Sequence, residues 1–388
     1  MVLFDRLFKA RKLPDRWIRF TASYPWVGNI IAIAGLAWIS YSLAIIIIAA
    51  NKHGHGAFIE TLGTVSNSRN LVDYALYIRT TYQHLFPADV RELVANLYGN
   101  LALYLVVPFL LCLEYFFPAN PSQPLISKGI LQDSIWYLFF TPVNLLILYP
   151  VGQFLHGLFS QYLGFLIVSD ATNWSVYLQV TAALFLGEFF AWFNHFVRHK
   201  IRSLWFFHAI HHSQKELNVF TDDRGHFIDL LVGSLVMFVP FFVFQVSNFY
   251  AVTIIALYKP IHNRFIHSNI KVNLGWLGFL FTSPQFHRVH HSMEQDHVDK
   301  NFGVHFSIYD QLFGTAFPSI NVYPATGIED PFFPSEEKVR IRHLPGNWLR
   351  QTVYPFKQLA LQIQASRIFQ MKNRQINPRN DSQQNKFS

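Results

Sequence analysis

Histidine is the residue type in this chain whose pattern could do chemistry. It supplies 18 of the 388 residues, and many of these fall into three short boxes. The first box is HFVRH, with His195 and His199 four positions apart. On a helix this spacing puts two side chains about 40° apart around the axis and about 6 Å apart along it. Both imidazoles can therefore reach one metal ion.

The other two boxes share the pattern HxxHH, and their six members are His208, His211, His212, His287, His290 and His291. On a helix the first histidine shares a face with the other two, and the middle one can serve one ion while its neighbour turns toward a second. At this histidine content about one HxxxH is expected by chance, but only about 0.04 HxxHH per chain. Interfacial histidines that pack against headgroups or form a pH-sensitive patch are therefore disfavoured for the eight as a set.

Eight imidazoles exceed what one ion holds, so the boxes predict two nearby metal ions. Neutral imidazole suits zinc, copper, iron and nickel, and the order of affinities does not select iron. The single cysteine, Cys112, lies in an apolar run, so the chain has neither an internal disulfide nor a cysteine metal cage.

The composition predicts that helices in a membrane position these boxes. Hydrophobic residues make up 51% of the chain and charged residues only 14%, against about 25% charged in a soluble domain. Apolar runs of about the length needed to cross a bilayer occur at Gly28–Ala50, Ala95–Phe117, about Leu131–Pro150 and Ser175–Phe193. A fifth, Phe227–Tyr258, is interrupted near Pro240 and Gln245–Asn248 and predicts a hairpin of two short or tilted spans. We expect an all-α, multi-pass membrane protein with a retained first span, which excludes a disordered chain, a secreted disulfide module and an ordinary cytosolic enzyme.

The positions of lysine and arginine predict the orientation. If the N-terminus is cytosolic, 27 of the 31 basic residues lie on the cytosolic side, as is typical of multi-pass proteins. His195–His226 and everything after Lys259 are then cytosolic, which places the histidine site on that face. The interpretation requires Val151–Asp170 to be a loop or a membrane-surface segment, because another span would reverse the following segments.

Four regions follow from these patterns. Residues 1–130 form an N-terminal membrane region with two spans (28–50 and 95–117), and residues 131–320 hold the histidine boxes. In residues 321–365, Arg340–Ala365 alternates bulky apolar and basic side chains and predicts a membrane-surface extension. The polar, basic tail, 366–388, is predicted to be disordered.

The lack of thiolate ligands, together with a membrane location that faces lipids, favours an oxygen-activating di-iron centre, although ligand type alone does not exclude zinc. Two other classes stay open. A histidine-rich membrane metal transporter would have its ligands near the membrane midplane. A zinc-dependent membrane hydrolase usually keeps three protein ligands and an open position.

The three boxes, in this order, resemble the sterol desaturase and fatty acid hydroxylase superfamily. Supporting matches are Arg-Gly-His at 224–226, His-Ser-Asn at 267–269, SPQFHRVHHS at 283–292, DKNFG at 299–303 and DQLFGT at 310–315. The resemblance covers residues 130–320 and is specific for the superfamily rather than for a member. Phe227 departs from it, since many relatives have proline there, which puts the local turn in doubt.

The resemblance implies a non-haem di-iron site that uses O2 and two electrons to hydroxylate or desaturate an unactivated C–H bond of a lipid. It implies that the eight box histidines are ligands, with His267, His262 and His226 as further candidates. His262 and His267 would diverge by about 140° on a straight helix, so one of them would support a ligand rather than bind an ion. For His226, capping or a bond to Asp229 is an equal alternative.

Bound imidazoles need a partner on the other ring nitrogen. Candidates are Glu188, Asp222, Asp223, Asp299 and Asn301, of which we assign catalytic importance to Glu188, Asp299 and Asn301. Glu188 lies inside a predicted span, seven residues before His195, where a carboxylate is costly; its alternative is a helix–helix hydrogen bond. Asp299 equally fits a cap of the turn that ends at Gly303.

The chain has no His-Pro-Gly-Gly, CxxC, GxGxxG or ferredoxin-type cysteine pattern. Electrons must therefore come from a separate donor, a b-type cytochrome or a ferredoxin with its reductase, docking on the basic cytosolic face. The basic charge does not indicate nucleic acid, because it lies in the predicted cytosolic loops. No G-x-S-x-G is present, which disfavours a lipase. Hydroxylation or desaturation, and a sterol, fatty acyl, sphingoid or alkylglycerol ether substrate, stay open.

Overall fold

The computed structural model describes residues 14–37, 39, 101–168, 171, 173–237, 239–244 and 249–376. These residues form helices and connecting turns, and their only β-type pairings are isolated bridges. The helices are α1 Asp15–Ser23, α2 Trp26–Ala37, α3 Leu101–Phe116, α4 Lys128–Tyr162, α5 Val176–Lys200, α6 Arg202–His212, α7 Phe227–Met237, α8 Val239–Val243, α9 Phe249–His267, α10 Pro284–His290, α11 Ile308–Phe313 and α12 Leu344–Ile376. The prediction of an all-α chain is confirmed for the described residues.

The starts of three helices follow from their sequences. Ser127, Ser175 and Ser283 precede α4, α5 and α10, and each hydroxyl accepts a hydrogen bond from a backbone N–H in the first turn. This satisfies one of the donors that a helix start leaves free. Pro284 then occupies the first turn of α10, where its fixed φ is favourable. The third histidine box is therefore on a helix whose start is set locally.

One helix in the described part of the chain, Tyr177–Lys200, is long and apolar enough to cross a membrane. It overlaps the predicted span Ser175–Phe193 and continues through the first histidine box. The helix Trp26–Ala37 and the segment Leu105–Phe116 are apolar but shorter. Most of the predicted span Gly28–Ala50 beyond Ala37 lies outside the described residues, so the multi-pass topology stays a prediction.

Within the apolar stretch Phe227–Tyr258 the structure describes α7, α8 and the first part of α9. The predicted turn at Gln245–Asn248 lies outside the described residues. In the segment Val151–Asp170, predicted to be a loop or a membrane-surface segment, α4 continues to Tyr162 and the short 3-10 turn Gly164–Leu166 follows. The structure is therefore helical where a loop was one of the two alternatives. After Pro150 this segment has no further proline to stop a helix.

Two packing regions support the histidine boxes. On one side α3 packs against α9 through Val106, Leu110, Phe265 and Ile266, which fixes the end of α9 near His267. On the other side α12 packs against α4 and α6 around Trp136, Ile210, Phe333 and Tyr354. The predicted membrane-surface segment 340–365 thus has one packed face; its other face exposes apolar side chains, Leu349, Val353 and Leu361.

Candidate metal centre

Nine histidines gather into two groups in which the nearest ring nitrogens all lie within 4.8 Å of one another. We name them by their members. Cluster one comprises His195, His199, His208, His212 and His290. Cluster two comprises His211, His267, His287 and His291.

Cluster one joins three helices through the Nε2 atoms of its imidazoles. His195 and His199 come from the end of α5, His208 and His212 from α6, and His290 from α10. The Nε2 atom of His195 lies 3.0 Å from that of His208 and 2.9 Å from that of His290. The Nε2 atoms of His199 and His212 are 3.1 Å apart. The helical spacing of the first box therefore brings both of its rings to one point, as predicted.

Cluster two is built in the same way from α6, α9 and the end of α10. The Nε2 atom of His267 lies 3.1 Å from that of His211 and 2.8 Å from that of His287. The Nε2 atoms of His287 and His291 are 3.1 Å apart. His267, on α9, is the member that belongs to none of the three boxes.

Each HxxHH box divides its histidines between the clusters. In α6 the first and third members join cluster one and the middle member joins cluster two, whereas in α10 the division is reversed. The clusters adjoin, since the rings of His212 and His291 stack with their centroids 4.3 Å apart. The spacing of the boxes therefore forms two adjoining histidine groups, each of which could hold a metal ion.

The protonation of the rings indicates that a cation belongs in cluster one. Nδ1–H of His195 donates to the carbonyl of Phe302 and Nδ1–H of His290 to the carbonyl of Lys300, both at 2.8 Å. In a neutral imidazole with its proton on Nδ1, Nε2 holds only a lone pair. The two Nε2 atoms would repel each other at 2.9 Å unless a cation shared them. Two nitrogens each about 2.1 Å from one ion, at about 90°, lie about 3 Å apart.

The Nε2 lone pairs of cluster two face each other in the same way. Nδ1–H of His267 donates to the carbonyl of Asn263 at 2.7 Å, and Nδ1–H of His211 donates to the carbonyl of Arg224 at 3.2 Å. Their Nε2 lone pairs therefore face each other at 3.1 Å. The residues of both clusters fit a bound metal ion.

Burial keeps these imidazoles in the form that binds metal. It lowers the pKa of His212 and His291 well below the ordinary value, and the neighbouring imidazoles lower these pKa values further. Burial also lowers the pKa of His290 to about 4. The rings are therefore neutral at physiological pH, and neutral imidazole is the metal-binding form.

Cluster one also has an anionic partner, Asp229, near the start of α7. Its Oδ2 atom accepts a hydrogen bond from Nδ1–H of His208 at 3.0 Å and another from Nη1 of Arg198 at 2.8 Å. Our sequence interpretation linked Asp229 to His226 and missed this contact. An acidic residue in the first turn of an otherwise apolar helix was the available signal.

A loop presents the two carbonyls that cluster one uses. Asp310 holds it, because its carboxylate accepts the backbone N–H groups of Phe302 and Gly303 at 2.8 and 2.6 Å. A side chain at Gly303 would meet the Asp310 carboxylate and the Phe306 carbonyl, so this position requires glycine. The sequence interpretation used Asp310 only as part of a motif.

The predicted residues Asp299 and Asn301 shape this loop. Both have left-handed backbone angles, with φ of 59° and 60°. Asp299 pairs with Lys200, while the Asn301 side chain donates to the carbonyl of Phe286 and accepts from the N–H of Phe317. In these pairings both side chains hold the loop and neither is hydrogen-bonded to a cluster histidine.

Two predicted ligands, His226 and His262, lie outside both clusters. Nδ1 of His226 accepts a hydrogen bond from the N–H of Ile228 at the start of α7, which is the capping role that competed with ligation. Nε2–H of His262 donates to the carbonyl of Thr282 at 2.9 Å. The divergence expected between His262 and His267 is observed, and only His267 reaches a cluster.

Glu188 also makes its contacts away from the clusters. Its Oε2 atom accepts hydrogen bonds from Nδ1–H and the backbone N–H of His305, at 2.8 and 3.3 Å, and its Oε1 atom lies 3.1 Å from Nζ of Lys259. The two other candidate partners are Asp223, which pairs with Arg264, and Asp222, whose Oδ1 atom lies 3.9 Å from Nδ1 of His267. Of the five acidic and amide candidates, Asp222 is the one with a carboxylate oxygen within 4 Å of a ring nitrogen of a cluster.

Comparison with known proteins identifies the region that contains the clusters. Residues 180–315 match the fatty acid hydroxylase family model. This part of the chain belongs to that family. The matched range includes all nine cluster histidines. It does not include α4 or α12. No solved structure matches the chain.

Two relatives in this family have established names. The chain is 34% identical over 147 residues to ornithine lipid hydroxylase OlsE of Rhizobium tropici, which covers 37% of this chain and 43% of that protein. It is 31% identical over 167 residues to human alkylglycerol monooxygenase, covering 42% of this chain and 36% of that protein. The chain thus matches less than half the length of these relatives.

Proposed function

We propose that this chain is a membrane-bound lipid hydroxylase that uses two iron ions, O2 and electrons from a separate donor. The observation that carries the proposal is the pair of histidine clusters whose Nε2 lone pairs converge. The names of the two relatives, a lipid hydroxylase and a monooxygenase, support hydroxylation over desaturation and a lipid as the substrate.

Five imidazoles would hold one ion in cluster one and four would hold the second in cluster two. Bound iron would supply the activation of O2 for attack on an unactivated C–H bond. The chain's own residues keep the rings neutral, fix their tautomers through Nδ1 and bury the centre. This donor set also accepts zinc, so the identity of the metal has to be measured.

The two alternative classes fit less well. A zinc-dependent hydrolase usually keeps three protein ligands and an open position, whereas these clusters offer five and four histidines. A metal transporter would place its ligands along the middle of its spans. Here His195 and His199 occupy the last turns of α5, and the other seven come from elements outside that helix.

The surface of α5 supports a membrane location. Its side chains Tyr177, Leu178, Phe185 and Phe193 are exposed and apolar, as expected for contact with lipid. We propose a multi-pass chain with the metal centre on the cytosolic face, in agreement with the distribution of basic residues. A b-type cytochrome, or a ferredoxin with its reductase, would deliver electrons at that face.

The proposal is tested with the full chain purified in detergent. We expect two iron ions per chain, and O2 uptake that depends on an electron donor and on lipid. With ¹⁸O2, one labelled oxygen should enter a lipid of the native membrane extract. In parallel, a deletion strain should accumulate a lipid that lacks this oxygen. Zinc alone with hydrolysis of a lipid ester, or a product with a new double bond and no label, would contradict the proposal.

The matched control for these assays is a histidine outside both clusters. His343 is exposed and its ring accepts from the neighbouring Arg342, so His343→Ala should keep both ions and full turnover. A comparable loss in this variant would show that metal content reflects histidine number rather than the two clusters.

A further inference from the structure

A buried ion cluster links the family region to two elements outside it. The guanidinium of Arg224 donates to the Asp133 carboxylate at 2.9 Å and to both oxygens of Glu336 at 3.1 and 3.0 Å. The side chains of Arg224 and Asp133 are 0% exposed and that of Glu336 is 5% exposed. Asp133 lies near the start of α4 and Glu336 in the short 3-10 helix Glu336–Lys338. Both acidic residues lie beyond residues 180–315.

Arg224 contacts the helix that carries the second histidine box in two ways. Its Nε atom donates to the carbonyl of Ile210 at 3.1 Å and to the hydroxyl of Ser213 at 3.0 Å, at the C-terminal end of α6. A cation stabilises the free carbonyls at such an end. Its own backbone carbonyl accepts Nδ1–H of His211 at 3.2 Å. Arg224 therefore fixes both the end of the helix and the orientation of the His211 ring.

Asp133 organises the connection between α6 and Arg224. Its Oδ2 atom accepts hydrogen bonds from Gln214, Asn218 and Thr221 at 2.7, 2.8 and 2.9 Å. These residues span the turn that brings Arg224 back to His211. Removal of one partner from a buried charged network leaves the others without compensation. The position of the Arg224 carbonyl thus depends on Asp133 in α4 and on Glu336 in the 3-10 helix Glu336–Lys338.

The ring that donates to the Arg224 carbonyl belongs to cluster two. His267 donates to a carbonyl of its own helix, and Nδ1 of His287 and of His291 has no hydrogen-bond partner among the described residues. His211 is therefore the ligand of this cluster that a distant element orients. In cluster one, His208 has a different partner, Asp229 on α7.

We propose that Asp133 and Glu336 are positioning residues for cluster two, acting through Arg224 on His211. The inference rests on the proposed metal centre and extends it to segments beyond the family region. The 3-10 helix that contains Glu336 is then part of the metal-binding unit. It lies within residues 321–365, the predicted membrane-surface extension.

The test measures Co²⁺ binding to the metal-free full chain in detergent, by the visible absorption of the bound ion. Two backgrounds separate the clusters: His195→Ala retains cluster two, and His291→Ala retains cluster one. In the first background we expect Glu336→Gln to weaken Co²⁺ binding about 10- to 100-fold, the range for partners of metal ligands. In the second background, binding should be unchanged.

The neighbouring residue offers a matched control. Glu337 is exposed and pairs with Lys215 at 2.9 Å, so Glu337→Gln makes the same chemical change without contact to Arg224. It should leave Co²⁺ binding unchanged in both backgrounds. Thermal unfolding of each metal-free variant is measured alongside, since a purely structural role of Glu336 would lower that stability and leave Co²⁺ affinity as it is.

The outcomes separate the inference from the proposed function. Wild-type affinity in the Glu336→Gln variant, or equal weakening in both backgrounds, would overturn the inference alone. A wild-type chain that binds fewer than two Co²⁺ ions would overturn the proposed centre and the inference with it. If Glu336→Gln does not fold, Asp133→Asn, which removes the other anionic partner of Arg224 and keeps the pair with Glu336, is measured instead. Unchanged binding to cluster two in that variant would overturn the inference.

Discussion

Cluster one and cluster two both take histidines from α6 and from the third box but differ in what holds their rings. Cluster one has a carboxylate, Asp229, and two carbonyls from one loop that Asp310 fixes. Cluster two has two carbonyls on separate elements and two buried Nδ1 atoms without a partner among the described residues. An acceptor on Nδ1 fixes the ring and raises its basicity. Equal ligands therefore do not make equal sites.

The largest effect is expected from removing a ligand. His208→Ala and His212→Ala in cluster one, and His287→Ala and His291→Ala in cluster two, should each abolish turnover and lower the metal content by one ion per chain. Each substitution removes one nitrogen donor from one of the two ions, and the proposed hydroxylation needs both ions. Metal analysis and turnover of purified protein measure this. Full activity and full occupancy in any two of the four would exclude the assignment.

Removing the carboxylate of cluster one should have the next largest effect. Asp229→Asn replaces the anionic acceptor of His208 by a neutral amide, so we expect turnover or metal affinity to fall about 10- to 100-fold. Asp296→Asn, an exposed position, is the control. The two variants are compared by iron per chain and turnover per iron. If Asp229→Asn matched its control, the contact would have no role in the centre.

Chelation should separate the clusters without changing either. We expect cluster two to release its ion at a chelator concentration about tenfold lower, because its rings have fewer acceptors on Nδ1. The His195→Ala and His291→Ala chains report on cluster two and cluster one respectively. Equal midpoints, or earlier release from cluster one, would show that these acceptors do not set affinity.

The smallest effect on the metal centre is expected at Glu188. Because this carboxylate contacts His305 and Lys259 and not a cluster ring, Glu188→Gln should leave iron per folded chain at the wild-type value. It should lower stability, by about 3 kcal/mol for breaking a buried ion pair. Thermal unfolding and metal analysis test both parts. Loss of iron with unchanged stability would return Glu188 to the role that the sequence indicated.

Much of the site could be predicted because helical spacing is a local property. The boxes indicated eight of the nine cluster histidines, and the division of HxxHH between two ions follows from the directions of side chains on a helix. The phase difference between His262 and His267 likewise indicated that one of them would not bind. The sequence could not show which of the two reaches a cluster, because it does not show which face of their helix packs against the histidine boxes.

The contacts that orient the rings could not be predicted in this way. His208 meets Asp229 on a separate helix, and His195 meets a carbonyl 107 residues later in the chain. Carbonyls carry no sequence signal, because every residue has one. Glu188 shows the converse, since its position within the span that leads to His195 favoured a metal partner, yet the packing of α9 brings Lys259 to it.

The sequence by itself determined that this chain is helical, apolar and rich in histidine boxes, and thereby indicated eight of the nine histidines of the two clusters. These properties depend on composition and on spacing within one helix. The tertiary structure decided which histidines share a cluster, which acceptors fix the rings that have one, and that α4 and the 3-10 helix Glu336–Lys338 both contact Arg224 beside cluster two. Such contacts join residues far apart in the chain, and only the packing of the helices brings their atoms within hydrogen-bonding distance.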